Sequence, residues 1–218
     1  MDGPAGGMRR LGAGKTPMKL VAATLNAGKL REFQRLLRDL PLDIIGLTDM
    51  PGLSLPSETG TRYIDNAALK ARAAVKALGL PAFGDDTGLE VDALGGRPGL
   101  RSARYASPDG NAEKNIDRLL RELRGVPEPK RTARFRAWLV LVYPSGAGTW
   151  LEEAFEGVFE GAIAQRPSGR GGFGYDPLFI SPAHGRTVAE LTDDEKDAVS
   201  HRGHAARKMA DFLGARLK

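Results

Sequence analysis

Two adjacent carboxylates, Asp85 and Asp86, stand between a short apolar run (Leu80, Ala82, Phe83) and the pair Thr87-Gly88. Arg97, Arg101 and Arg104 follow within the segment Gly84 to Ala106. Acids able to hold a divalent cation, close to bases able to hold an anion, are the ingredients of metal-assisted chemistry on a phosphate. Neighbouring residues of an extended strand point to opposite faces. Both carboxylates therefore serve one site only where the chain turns, as Thr87-Gly88 permits. One Asp is then expected to hold metal or activate water, and the other to orient a base or a helix end. A solvated strand end with capping carboxylates is the competing reading. Glu58, in the preceding loop, is a candidate second metal ligand.

Three other segments carry groups of the same kind. Thr24-Leu25-Asn26-Ala27-Gly28-Lys29 joins a strand to a helix, where free amides and the positive end of the helix dipole seat a phosphate. Lys29 adds a full charge there, although an ordinary turn with a solvent-facing lysine fits the same residues. A Walker loop is excluded, because its glycines and its Lys-Ser/Thr pair are missing. Gly169, Gly171 and Gly174 make a formal G-x-G-x-x-G. A dinucleotide fingerprint must open a helix, whereas Asp176-Pro177 and then Leu178-Phe179-Ile180 read as a turn into a strand. Phe173, Gly174, Tyr175 and Asp176 suit a loop that approaches a flat ligand, with a ring to stack and a polar reader; anchoring of the rings in the core is the alternative. Farther on, His201 and Arg202 can donate to carbonyl oxygens of a base, and Lys196 can reach a ring face or a phosphate. Plain helix-entry chemistry fits these three as well. His201 and His204 have no evident third partner, which argues against zinc.

These groups need elements to position them. Lys19–Thr24 and Asp43–Leu47 read as strands flanking a helix with Leu30, Phe33, Leu36, Leu37 and Leu40 on one face. Asn66–Leu78 is an Ala-rich helix stopped by Gly79 and Pro81, and Pro81–Asp85 is a strand that ends at the carboxylates. Ala112–Arg124 is an amphipathic helix; Thr132–Tyr143 and Trp150–Ile163 form a long hairpin. Thr192 to Glu195 is a capping box, and a last helix follows Ser200. The order is mixed α/β with an antiparallel second half.

The bulk composition suits one soluble domain. Of 218 residues, 41% are hydrophobic and 27% charged, enough for a substantial core. With no Cys there is neither a disulfide framework nor a thiolate metal site, which fits a reducing, cytoplasmic setting. The net charge of +5 owes part of its excess to Arg9, Arg10 and Lys15 and is no mark of a nucleic-acid partner. No apolar run approaches the length of a membrane span. Residues 1–17, rich in Gly, Pro and Ala, are expected to be a disordered extension of a single domain over 18–218.

Taken in order, TLNAGKLREF, ETG with DNAALKARA, FGDDTGLEVDALGGRPGLRSARYA, GGFGYDPLF and ELTDDEKDAVSHRG closely resemble the inosine/xanthosine triphosphate pyrophosphatase family. The resemblance implies a two-lobed α/β fold with a mixed sheet, the nucleotide in the cleft between lobes, and a homodimer. It implies Mg²⁺-dependent attack of water on the α-phosphorus of non-standard purine nucleoside triphosphates (ITP, dITP, XTP), giving a monophosphate and pyrophosphate. On matching positions, Thr24 to Lys29, with Leu25, Asn26, Ala27 and Gly28 between, would cradle the triphosphate with Lys70 and Thr87. Glu58 and Asp86 would sit at the metal, Asp86 as general base and Asp85 in support. Phe173 to Asp176, Lys196, His201 and Arg202 would hold the purine. Thr87 stands where the family commonly has Ser, and Arg101 where it often has Tyr. Septum-inhibitor-like nucleotide pyrophosphatases and a non-catalytic nucleotide- or RNA-binding module are the competing readings.

Overall fold

The structure is a computed structural model that describes residues 17–50, 53–146 and 148–217. The expected extension over 1–17 therefore lies, but for Pro17, outside the described residues. Among the described residues, five α-helices surround one mixed sheet. The N-terminal part is β1 (Met18–Ala22), α1 (Ala27–Leu36), β2 (Leu42–Gly46), α2 (Tyr63–Leu78) and β3 (Ala82–Val91). The short β4 (Pro98–Gly99) and α3 (Ala112–Glu122) precede the long hairpin β5 (Thr132–Gly146) and β6 (Thr149–Ile163). β7 (Phe179–Ser181), β8 (Arg186–Thr187), α4 (Asp193–Val199) and α5 (His201–Gly214) complete the chain.

Strand order is β2-β1-β3-β5-β6-β7-β8, with β4 on β3. β1 runs parallel to β2 and β3, and the remaining pairs are antiparallel. The strand carrying the carboxylates does not end at Asp85. It runs for 10 residues, from Ala82 to Val91, in unbroken register with β5: Asp85 opposite Leu139, Asp86 opposite Trp138, Thr87 opposite Ala137. Asp and Gly disfavour the middle of a strand locally, but pairing on a long neighbour overrides that preference. The two carboxylates consequently face opposite sides of the sheet, and no turn at Thr87-Gly88 unites them.

The long strands hold two lobes together. At one end, Phe83, Leu139, Leu141 and Phe155 pack with Phe33 of α1 and Met209 of α5, and Val140 and Val142 pack beneath Ala67, Ala71 and Ala74 of α2 on the other face. At the other end, Leu89, Phe135, Phe159 and Phe179 pack with Leu119 and Leu123 around α3. Two glycines set how closely helices approach the sheet. A Cβ on Gly84 would overlap the Ala67 carbonyl oxygen of α2, and one on Gly157 would overlap the His201 carbonyl oxygen at the start of α5. Those contacts bring Asn66 and Lys70 on one face, and His201 and Arg202 on the other, within reach of β3.

Gly84→Ala is expected to push α2 off β3 and lower unfolding free energy by about 2 kcal/mol, as overpacking a tight contact does. Urea denaturation of the variant against the parent measures this, and an unchanged midpoint would show that the helix yields freely.

Candidate active site in the cleft between the lobes

A cleft of about 470 Å³ opens between the lobes, lined by Asn26, Lys29, Glu58, Asp86, Thr87, Arg104, Phe173, Gly174, Tyr175, Asp176, Lys196, His201 and Arg202, among others. Most of the residues singled out from sequence meet here. Thr24, Leu25, Ala27, Gly28, Lys70 and Asp85 do not line it. Thr24 is buried and receives the Asn26 amide on its hydroxyl at 3.1 Å, and Leu25 is exposed. Ala27 and Gly28 form the first turn of α1, whose amides precede the helix's own hydrogen-bond ladder. Asn26 caps that turn, its side chain accepting from the Lys29 amide at 3.1 Å.

On one side of β3, Asp86 Oδ2 accepts from Asn66 Nδ2 at 3.0 Å, while Lys70 Nζ lies 3.3 Å from Asp86 Oδ1 and 2.6 Å from Glu58 Oε1. Lys70 also donates to the Asp85 carbonyl at 3.0 Å. The Asn66 side-chain Oδ1 accepts from the Gly60 amide at 2.8 Å, tying the Glu58 loop to α2. Burial raises the Asp86 pKa, with Lys70 and Asn66 offsetting only part of the effect. Burial also opposes charge on Glu58, but Lys70 and Arg104 outweigh it and hold its pKa down. Two carboxylates thus converge on one buried cation. Mg²⁺ takes one or two protein carboxylates and completes its shell with water and phosphate oxygens, so this hard-oxygen pair fits it. Among the described residues no cluster of three or more His, Cys, Asp or Glu offers an all-protein cage.

On the other side, Asp85 Oδ2 sits 2.5 Å from Lys29 Nζ and 3.8 Å from Arg202 Nε. Burial works against its charge, yet Lys29 and Arg202 prevail and lower its pKa. Arg202 pairs with Glu32, Glu32 Oε1 lies 2.6 Å from Lys196 Nζ, and Lys196 reaches Asp176 Oδ2 at 2.8 Å. Asp176 Oδ2 accepts from the Phe173 amide at 2.9 Å and so pins the aromatic loop. Lys196 and Arg202 lie 4.9 and 5.4 Å from the Phe173 ring centroid. Tyr175 donates to the Ser102 carbonyl at 2.9 Å, so this ring anchors the loop to the other side of the cleft. His201 stacks on Phe135 at 4.8 Å, and burial, then Arg202 and Lys196, push its pKa well below the ordinary value. The imidazole is neutral at pH 7. Its Nδ1 and Arg202 Nε are buried without a hydrogen-bond partner.

Asn66, Glu32, Phe135 and Arg104 are the groups that sequence reasoning missed or left unassigned. Asn66 precedes Lys70 by one helical turn and shares its face, a signal available in the sequence. Glu32 gives no such signal, since its partners lie at the far end of the chain. The segment around Gly169 to Leu178 forms turns leading into β7, not a helix.

Fold and cleft together have the form of a small-molecule site, with two carboxylates at one end and buried nitrogen groups beside an aromatic ring at the other. The family is more particular: a model of the Ham1 family matches residues 20–212, and the chain belongs to that family. A dITP/XTP pyrophosphatase of Yersinia pseudotuberculosis serotype I is 51% identical over 195 residues, 89% of this chain and 98% of the relative. One of Escherichia coli K12 is 48% identical over the same shares. A solved HAM1 protein of Coxiella burnetii superposes with a TM-score of 0.79 at 40% identity, covering 91% of this chain and 99% of that one. The Ham1 protein of Staphylococcus aureus gives 0.78 at 36% identity, covering 90% and 98%.

Glu32 supplies a pH test. Burial opposes its charge, but Arg202 and Lys196 dominate and depress its pKa below the ordinary 4.5. Its charge therefore stabilises the fold above about 4.5, and that contribution disappears as pH falls through the depressed folded-state pKa. Glu32→Gln should cost about 3 kcal/mol at pH 7 by leaving buried cations unpaired. Denaturant titrations across pH should show the gap between variant and parent closing on acidification. A gap independent of pH would mean that Glu32 is not charged in the fold.

Proposed function

We infer that this chain hydrolyses non-standard purine nucleoside triphosphates, ITP, dITP and XTP, to the nucleoside monophosphate and pyrophosphate. The observation that carries the chemistry is Asp86, a carboxylate with a raised pKa held by Asn66 and Lys70 beside Glu58. Its neighbours on the cleft wall supply the cations that a triphosphate needs, and relatives of about half identity over nearly their whole length carry the name dITP/XTP pyrophosphatase.

In this reading Glu58 and Asp86 hold Mg²⁺, which supplies neutralisation of phosphate charge and acidification of water. Asp86 accepts the proton of the attacking water as its oxygen bonds to the α-phosphorus; the bond to the α–β bridging oxygen breaks and pyrophosphate leaves with that oxygen. Lys70 and Asn66 fix the Asp86 oxygens. The first turn of α1 and Lys29 hold phosphate, and Asp85 supports from behind the sheet by holding Lys29. Thr87 borders the same end of the cleft. At the other end the Phe173 ring faces the purine, and Lys196, His201 and Arg202 present donors to it, kept in place by Asp176 and Glu32. A 6-oxo purine accepts at the position where adenine offers an amino group, so buried donors would be left unpaired against adenine. The homodimer and the cytoplasmic setting belong to the same reading. No described helix is long and apolar enough to cross a membrane.

The reading is tested by the products of ITP, dITP, XTP, GTP and ATP with and without Mg²⁺. Monophosphate and pyrophosphate from ITP and XTP are expected, with turnover abolished by chelation. Asp86→Asn should lower kcat by about 10³ with the fold intact, the range of a lost general base. Orthophosphate as first product, or undiminished turnover in Asp86→Asn, would overturn the mechanism.

A further inference from the structure

Of the three arginines that follow the carboxylate pair, the structure brings one to the cleft. Arg97 is spent on Glu122 at 2.7 Å, and Arg101 is exposed and does not line the cleft. Arg104, in a short 3₁₀ turn (Ser102–Arg104), lines the cleft and donates to Glu58 Oε2 at 2.5 Å. Both Glu58 oxygens are thereby occupied by cations, Oε1 by Lys70 and Oε2 by Arg104. A divalent ion that takes Glu58 competes with both of them for that carboxylate.

The two are not equally held. The Lys70 side chain is 9% exposed and keeps the Asp85 carbonyl and Asp86 as partners after losing Glu58. The Arg104 side chain is 52% exposed, and among the described residues Glu58 is its one side-chain partner. Arg104 is the displaceable cation. Once displaced, its planar fork faces a cleft whose ligand carries several negative charges, the geometry that bidentate phosphate contacts use.

Resting on the nucleotide reading above, we propose that Arg104 is a phosphate ligand of the substrate, held in reserve by Glu58 and freed when a divalent cation takes that carboxylate. Metal and nucleotide then bind cooperatively through a single exchange of partners: Glu58 leaves Arg104 for the metal, and Arg104 leaves Glu58 for a phosphate oxygen.

The test is calorimetric binding of an α,β-methylene analogue of ITP, which resists cleavage at the reacting bond, with Mg²⁺ and with EDTA. Arg104→Met should weaken binding about tenfold in Mg²⁺, as loss of a charge-assisted pair does, and less than twofold in EDTA. Arg101→Met, with its thermal midpoint also recorded, is the control and should leave both values unchanged. Glu58→Gln should bind the analogue in EDTA more tightly than the parent does, and Glu58→Gln/Arg104→Met should lose that gain. Equal weakening by Arg104→Met in both conditions would show a permanently available ligand, and no weakening in either would confine Arg104 to its pair with Glu58. Survival of the Glu58→Gln gain in the double variant would assign it to Lys70; each of these results overturns the proposal. Failure of the parent to turn ITP into monophosphate and pyrophosphate would instead sink the nucleotide reading itself.

Discussion

A buried run of alternating charge governs the cleft: Asp176, Lys196, Glu32, Arg202, Asp85 and Lys29 follow one another in contact, negative and positive in turn. The buried members, Asp176 to Asp85, would each be costly to charge at such depth alone, because removing an ion from water costs far more than a folded domain has to spare. Each is tolerable because its neighbours carry the opposite sign. The run begins under the aromatic loop, passes behind the cleft and ends at the start of α1, the proposed phosphate seat. Donors at both ends are therefore set before any ligand arrives, which is what electrostatic preorganisation requires.

The fold exists to hold that run and its counterpart at Asp86 on opposite faces of one strand. Glycine at 84 lets α2 bring Asn66 and Lys70 down on one face, and glycine at 157 lets α5 bring His201 and Arg202 down on the other. The strand between them must stay straight through Asp85 and Asp86 for the division to work. Its full pairing with β5 secures this. One carboxylate is thereby given to the proposed metal and base chemistry, and the other to holding a lysine.

What the sequence made legible was local. The capping box at Thr192–Glu195, the stop at Gly79 and the rejection of a dinucleotide loop at Gly169–Gly174 depend on residues a few positions apart, and the structure bears them out. The end of β3 was misplaced because Asp-Asp-Thr-Gly reads locally as a turn, whereas the deciding partner is a strand on the far side of α3. Nothing near Glu32 in the sequence marks it, since Lys196 and Arg202 are joined to it only by folding. Three arginines in one segment looked equivalent until the β4 region and its following turn sent Arg104 alone to Glu58. Family resemblance gathered the site residues; it did not show which carboxylate faces which cation.

In the proposed site, fixed, desolvated donors read the 6-position of the base. Purine riboside triphosphate, which has neither oxygen nor amino group there, tests this with no change to the protein. Its kcat/KM, measured beside those of ITP and ATP, should fall below that of ITP by on the order of 10² or more, because the buried donors lose their acceptor. Turnover of purine riboside triphosphate equal to that of ITP would contradict this role of the donors, since selectivity would then rest on excluding the adenine amino group and not on hydrogen bonds to the oxygen.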